Sequence, residues 1–150
     1  MLPDNSIAAQ WLEREDEVAH EGRLERLRWI EKQYLAIDIQ LFPGGQTSRS
    51  LFEEARYCFV YGQFLATVML GMAFIERSFA ADLFAAGHSN LERASLTILL
   101  REELQRGLIS QIEFNQLESV RANRNSVAHF RSPGHPETVE FRSVLQAELP

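Results

Sequence analysis

Tyr57-Cys58-Phe59-Val60-Tyr61-Gly62-Gln63-Phe64-Leu65-Ala66-Thr67-Val68-Met69-Leu70-Gly71-Met72-Ala73-Phe74-Ile75 is a run of 19 residues without a charge. Its length falls inside the window for a membrane-spanning helix. Gly62, Gln63, Thr67 and Gly71 dilute its apolar character, and Arg56 and Glu76 end it abruptly without a basic flank, so a membrane span is rejected. A helix that is apolar all round belongs instead at the centre of a bundle, or between the bundle and a second subunit. The spacing Gly62-x-x-x-Ala66 would let a neighbouring helix approach closely.

Outward from this run the apolar residues recur with helical spacing, and strand-like alternation is missing. A segment over about 6–41 places Ile7, Trp11, Val18, Leu24, Leu27, Trp29, Ile30, Leu35 and Ile37 among many charges, with Gly22 softening its middle. Phe42-Pro43-Gly44-Gly45-Gln46-Thr47-Ser48 reads as a loop, since proline cannot continue a helix. Ser50-Leu51-Phe52-Glu53 reads as a capping box opening a second long segment that ends at a left-handed cap on Gly87. The two long segments are expected to pair antiparallel. Each would be about 50 Å long, longer than a domain of this size is wide, so a kink or break is expected in at least one, at Gly62 or Gly71. A shorter helix follows over about 90–106. Ser110-Gln111-Ile112-Glu113 is a second capping box, starting a helix that runs to about 129, and a last piece covers about 137–148 beyond Ser132-Pro133-Gly134-His135-Pro136. The expected fold is all-α, an up-and-down bundle of four to five helices forming one domain over 1–150. Its core spans about 50–148 and the helix over about 6–41 packs on it.

Composition sets outer limits on function. The 150 residues are 45% hydrophobic and 24% charged, an ordinary globular balance. Cys58, the single cysteine, excludes an internal disulfide and a thiolate zinc site, and a reducing, cytoplasmic setting is expected. The first residues lack the basic and apolar regions of a signal peptide. A net charge of −6 argues against coating nucleic acid through a general electrostatic footprint, though not against a small basic site. Arg121, Arg124 and Arg131 form such a cluster, with no acid between them. Gly44-Gly45 lacks the lysine and strand–helix context of a phosphate-binding loop. His20, His88, His129 and His135 are scattered without metal-ligand spacing, so neither a metal nor another cofactor is expected. No local signature marks a serine or Cys58 as an activated nucleophile.

Chemistry concentrates in Arg121-Ala122-Asn123-Arg124-Asn125-Ser126-Val127-Ala128-His129-Phe130-Arg131. Phe114, Leu117, Val120, Val127 and Ala128 define an apolar face, and Arg124 points into the same arc. Asn125 and His129, four apart, share a side of the helix, with Arg121 a turn before Asn125. On geometry alone, this polar group reads as a structural pair: Arg124 meeting a carboxylate such as Glu76, and His129 a satisfied helix-end residue.

Arg124-Asn125-x-x-x-His129 also resembles the arginine, polar residue, three variable residues, histidine motif of HEPN domains, the higher eukaryotes and prokaryotes nucleotide-binding family. Those domains are helical bundles with the motif near the end of a late helix, and residues from about 50 to 148 fit that layout. The resemblance implies a metal-independent endoribonuclease acting as a homodimer, with two motifs facing across a cleft. His129 would take the proton of a ribose 2′-hydroxyl, which then attacks the adjacent phosphorus. Arg124 would bind the phosphoryl oxygens as charge builds, Asn125 would orient the imidazole or the phosphate, and Arg121 and Arg131 would contact RNA. The dimer contact would include the 57–75 helix or the helix carrying Arg124. A toxin or defence role follows, with an antitoxin or other protein restraining activity. Members paired with a nucleotidyltransferase antitoxin often carry a tyrosine where this chain has Arg131. The family also contains non-catalytic members that bind nucleotides or partner proteins, which is the alternative reading of the same residues.

Overall fold

The computed structural model describes residues 6–34 and 42–128. These form five α-helices, α1 (Ile7–Tyr34), α2 (Gly45–Val60), α3 (Phe64–Ala85), α4 (Leu96–Gln105) and α5 (Gln111–Ala128), with one 3-10 turn at Ser89–Leu91 and no strand among the described residues. The chain is all-α, as its periodicity requires. The expected helix over about 137–148 and the end of the first segment lie outside the described residues.

The uncharged run is not one helix. The chain reverses at Tyr61-Gly62-Gln63, where Gly62 holds φ 75°, a left-handed value that L side chains adopt only with strain. Gly62 therefore sits in a turn, so the Gly62-x-x-x-Ala66 approach surface does not exist. Gly71 lies within unbroken α3. The reversal makes α2 and α3 an antiparallel hairpin, closed at its far end by Phe42, Phe52 and Phe74, whose rings lie 5.3 to 6.3 Å apart. Arg77 of α3 donates from Nε to the carbonyl of Gly44 at 3.3 Å across the same end.

Three further boundaries move. α2 starts at Gly45, so Ser50 lies inside the helix rather than capping it, and Glu53 accepts instead from Arg49 Nε at 2.9 Å. The loop expected over 42–48 shrinks to Phe42, Pro43 and Gly44. The helix expected over 90–106 is the 3-10 turn followed by α4 alone. Gly87 does follow α3 with φ 93°, as the left-handed cap requires.

The core lies on the side of α3 away from α2. Met72, Leu96 and Leu100 are buried together, with Val68, Ile75, Phe79, Ile109, Phe114 and Leu117 packed around them. α3 thus meets α2, the 3-10 turn, α4 and α5. Among the described residues it is also the one helix long and apolar enough to cross a membrane. Burial of the 57–75 run is partial: Val60 and Met72 are inside, whereas Tyr57, Tyr61, Phe64, Leu65 and Met69 are exposed. The antiparallel partner of α3 is α2, not α1. α1 packs on α2 by its second half, through buried Ile30 and through Arg26, whose Nε donates to the Val60 carbonyl at 2.8 Å. Ile7, Trp11, Leu12 and Val18 in its first half stay exposed.

Candidate functional site

The candidate residues ride on α5, and the start of that helix fixes where they arrive. Ser110 and Glu113 form the reciprocal cap that their spacing predicts. The Ser110 backbone N–H donates to Glu113 Oε2 at 2.7 Å, and the Glu113 N–H returns to Ser110 Oγ at 3.2 Å. The Ser110 N–H and the Ser110 hydroxyl, which donates to the same Oε2 at 2.8 Å, hold the Glu113 carboxyl below the ordinary carboxylate range. Phe114 and Leu117 then seat α5 on the Met72–Leu96–Leu100 cluster. Steps of three and four residues from them reach Arg121 and Arg124 on neighbouring sides of the helix.

Arg124 meets α3. Its Nη1 lies 3.4 Å from Glu76 Oε2, with the arginine side chain 26% exposed and the glutamate 38%. The pairing foreseen with a carboxylate such as Glu76 is therefore present. It is a single long contact. Nε is buried without a hydrogen-bond partner, and the other terminal nitrogen makes no hydrogen bond among the described residues. A half-exposed pair of this length contributes at most about 1 kcal/mol to stability.

Arg121 is gripped more firmly by its own helix, with Nε and Nη2 at 3.0 and 2.9 Å from the two Glu118 oxygens. A forked pair of this kind fixes the guanidinium plane. Asn125 is half-buried beside Arg124. His129 and Arg131 lie outside the described residues, so the structure brings Arg124 to Glu76, carries Arg121 and Asn125 on the same helix, and does not describe the histidine. Val120 is partly exposed rather than part of the buried face. Cys58 is half-buried within α2. No group of three metal-ligating side chains occurs among the described residues.

Glu76 has a second neighbourhood that its sequence context did not announce. It lines an open cleft of about 650 Å³, walled by Leu51, Ala73, Ala80 and Leu99 and edged by Arg77, Glu92 and Arg93. The only signal in the sequence is the pair of acid–base doublets, Glu76-Arg77 and Glu92-Arg93, interrupting largely apolar surroundings. A further polar group lies near the end of α3. Glu103 is buried, and burial, then the charge of Asp82, push its carboxyl above the ordinary range against the opposing pull of Arg106. Arg106 itself pairs with Glu102 at 3.2 Å and contacts His88 Nε2.

Compared with models of known families, with curated proteins and with solved structures, the chain matches none.

Proposed function

We propose that this chain is a HEPN-like endoribonuclease that cuts RNA without a metal ion, with Arg124, Asn125 and His129 as its working residues. The observation that supports this reading is the state of Arg124. It is positioned by the packing of α5 on α3, yet one long contact to Glu76 leaves guanidinium donors uncommitted beside the end of the helix. Such donors suit a phosphoryl group on which negative charge is building.

His129 follows Ala128, the last residue of α5. In the proposed step it removes the proton of a ribose 2′-hydroxyl, whose oxygen attacks the adjacent phosphorus. The bond from phosphorus to the 5′ oxygen breaks, that oxygen takes up a proton from water or from the imidazolium, and the products are a 2′,3′-cyclic phosphate and a 5′-hydroxyl. Arg124 binds the non-bridging oxygens, and Asn125, a turn before His129, orients the ring or the phosphate. Arg121 and Arg131 contact the flanking RNA. The working unit is a homodimer in which two such groups face one another, restrained by a partner protein as in a cytoplasmic toxin or defence system.

A second reading is favoured by one observation. The contact between Arg124 and Glu76 is also what a non-catalytic helical module would use to hold α5 on α3. Incubating the full chain with mixed cellular RNA in excess chelator separates the two. Cleavage with cyclic phosphate ends, reduced about 10²- to 10⁴-fold by His129→Ala, supports the nuclease. Arg124→Lys keeps the charge but loses the planar fork, and should lose about 10²-fold or more. DNA, without the attacking hydroxyl, should stay whole. Intact RNA, with nucleotides or a protein still bound through Arg121, Arg124 and Arg131, establishes the binding module instead.

A further inference from the structure

The cleft beside Glu76 takes no part in the proposed bond-breaking, although it adjoins it. Glu76 lines the cleft and lies 3.4 Å from Arg124. From Glu76 the lining follows α3 for eight residues to Phe84, about 12 Å along the helix. A volume of about 650 Å³ is that of a site for a small organic group. Ala73, Ala80, Ala81 and Ala94 contribute nothing longer than a methyl to the walls, which keeps space open among α3, Leu51 of α2 and Leu99 of α4.

Charge on this lining is balanced, Arg77 and Arg93 against Glu76 and Glu92. The four differ in how far they are committed. Glu76 faces Arg124, and Arg77 donates from Nε to the Gly44 carbonyl at 3.3 Å. Glu92 and Arg93 are exposed, and their side chains make no hydrogen bond or ion pair among the described residues. A balanced lining selects neither an anion nor a cation. It suits a neutral group with apolar faces for the walls and with donors and acceptors side by side on one edge. A nucleobase is such a group, and guanine matches a free carboxylate next to a free guanidinium. Its N1–H and N2–H groups donate together to one carboxylate, while O6, beside N1, accepts from an arginine. Adenine and cytosine carry an unprotonated ring nitrogen beside the amino group, and uracil holds its one N–H between two carbonyls, so each sets an acceptor against the carboxylate.

We infer that the cleft holds a guanine of the RNA substrate beside the scissile phosphate, with Glu92 and Arg93 reading its edge. The apolar walls take the faces of the ring. The strand passes from Arg124 into the cleft at Glu76, which belongs to both. Only an unpaired base can enter, because pairing in a duplex occupies the edge that Glu92 reads. The assignment to an RNA base rests on the proposed nuclease reading, and it supplies that reading with a reason to cut at one base rather than another.

The test uses fluorescently labelled 2′-O-methyl oligouridylates of about eight nucleotides, either all uridine or with one central guanine, adenine or hypoxanthine. They lack the hydroxyl needed for cutting, so binding is read apart from cleavage. Polarisation with the full chain should show the guanine strand bound about tenfold or more tightly than the adenine and all-uridine strands. The hypoxanthine strand, without the N2 amino group, should fall between them. Glu92→Gln, at an exposed position, should bring the guanine strand to within about twofold of the all-uridine strand and leave all-uridine binding unchanged. Guanosine monophosphate alone, without the flanking strand, should compete at least about tenfold less well than the guanine strand. Equal binding of the strands, no binding of any, or a guanine preference that survives Glu92→Gln overturns the subsite. Guanosine monophosphate competing as well as the strand overturns its assignment to RNA. Unmodified RNA then judges the nuclease by itself. Uncut RNA with the guanine preference intact rejects the nuclease and keeps the subsite, whereas cuts spread evenly over the four bases keep the nuclease and reject the subsite.

Discussion

Glu76 and a phosphate are both anions drawn to the Arg124 guanidinium, so at the scale of single residues the two compete for its charge. The 3.4 Å contact between Arg124 and Glu76 is weak enough to be exchanged, and Glu76 is exposed enough for water to take the place of the arginine. Glu76→Gln removes the competing charge. Steady-state cleavage by this variant should show KM lowered about two- to fivefold with kcat nearly unchanged. A raised KM would mean that Glu76 positions Arg124 rather than competes for it. That Arg124 would reach α3 was legible in the sequence, because Phe114, Leu117 and Arg124 fall on one arc of a helix. Which charged group waited there was only one option among several, since spacing along α5 says nothing about the register of α3.

The two capping motifs show what an element reveals in advance and what it hides. Ser110 and Glu113 close on one another because the chain before them has just left α4, so the first N–H groups of α5 need partners. Ser50 and Glu53 have the same spacing, but the helix is already under way from Gly45 and those N–H groups are satisfied. At Gly62 an interruption was legible, with Gly71 as the other candidate, but a full reversal was not. Glycine is compatible with a helix interior as well as with a reversal, and only the packing of Phe52 on Phe74 decides between them. Gly62→Ala should therefore cost about 1–2 kcal/mol, from the left-handed backbone rather than from crowding, because an added Cβ would lie 3.6 Å from the nearest atom, on the flexible Arg26 side chain. Calorimetry should show a fall in Tm of several degrees. α4 carries a different liability in Glu103. A carboxyl whose pKa rises on folding binds its proton more tightly in the native state. Its stabilising effect is complete below the ordinary carboxylate value and is lost as pH rises through the raised one. Glu103→Gln, neutral throughout, should flatten the fall in Tm above about pH 4 and leave the variant more stable than wild type at neutral pH. Parallel melting curves for the two proteins would remove burial of the charge as the cause.

Over the whole molecule, α1 is attached at one end. Its face of Ile7, Trp11, Val18 and Trp29 is regular enough to suggest a buried side, but periodicity marks a face without saying what covers it, and these residues are 87%, 63%, 77% and 55% exposed. Deleting residues 1–21 should leave Tm within about 2 °C of the full chain by thermal circular dichroism, since little of the core is touched. In the proposed homodimer, α5 brings two copies of Arg124 together, with Ile112 and Val120 as exposed apolar positions on that helix. Sedimentation should give a dimer for wild type and a monomer for Ile112→Glu with Val120→Glu, and a monomeric wild type would reject the paired site. The hairpin also orders events during synthesis. α2 and α3 are joined by three residues and can close as soon as Ala85 is free, whereas Leu96, Leu100, Phe114 and Leu117 come later in the chain. At about 5–20 residues per second, the side of α3 carrying Val68, Met72, Ile75 and Phe79 stays bare for roughly two to six seconds while the ribosome reaches Leu117. In that interval the nascent protein offers holding chaperones a grip that the finished bundle withdraws.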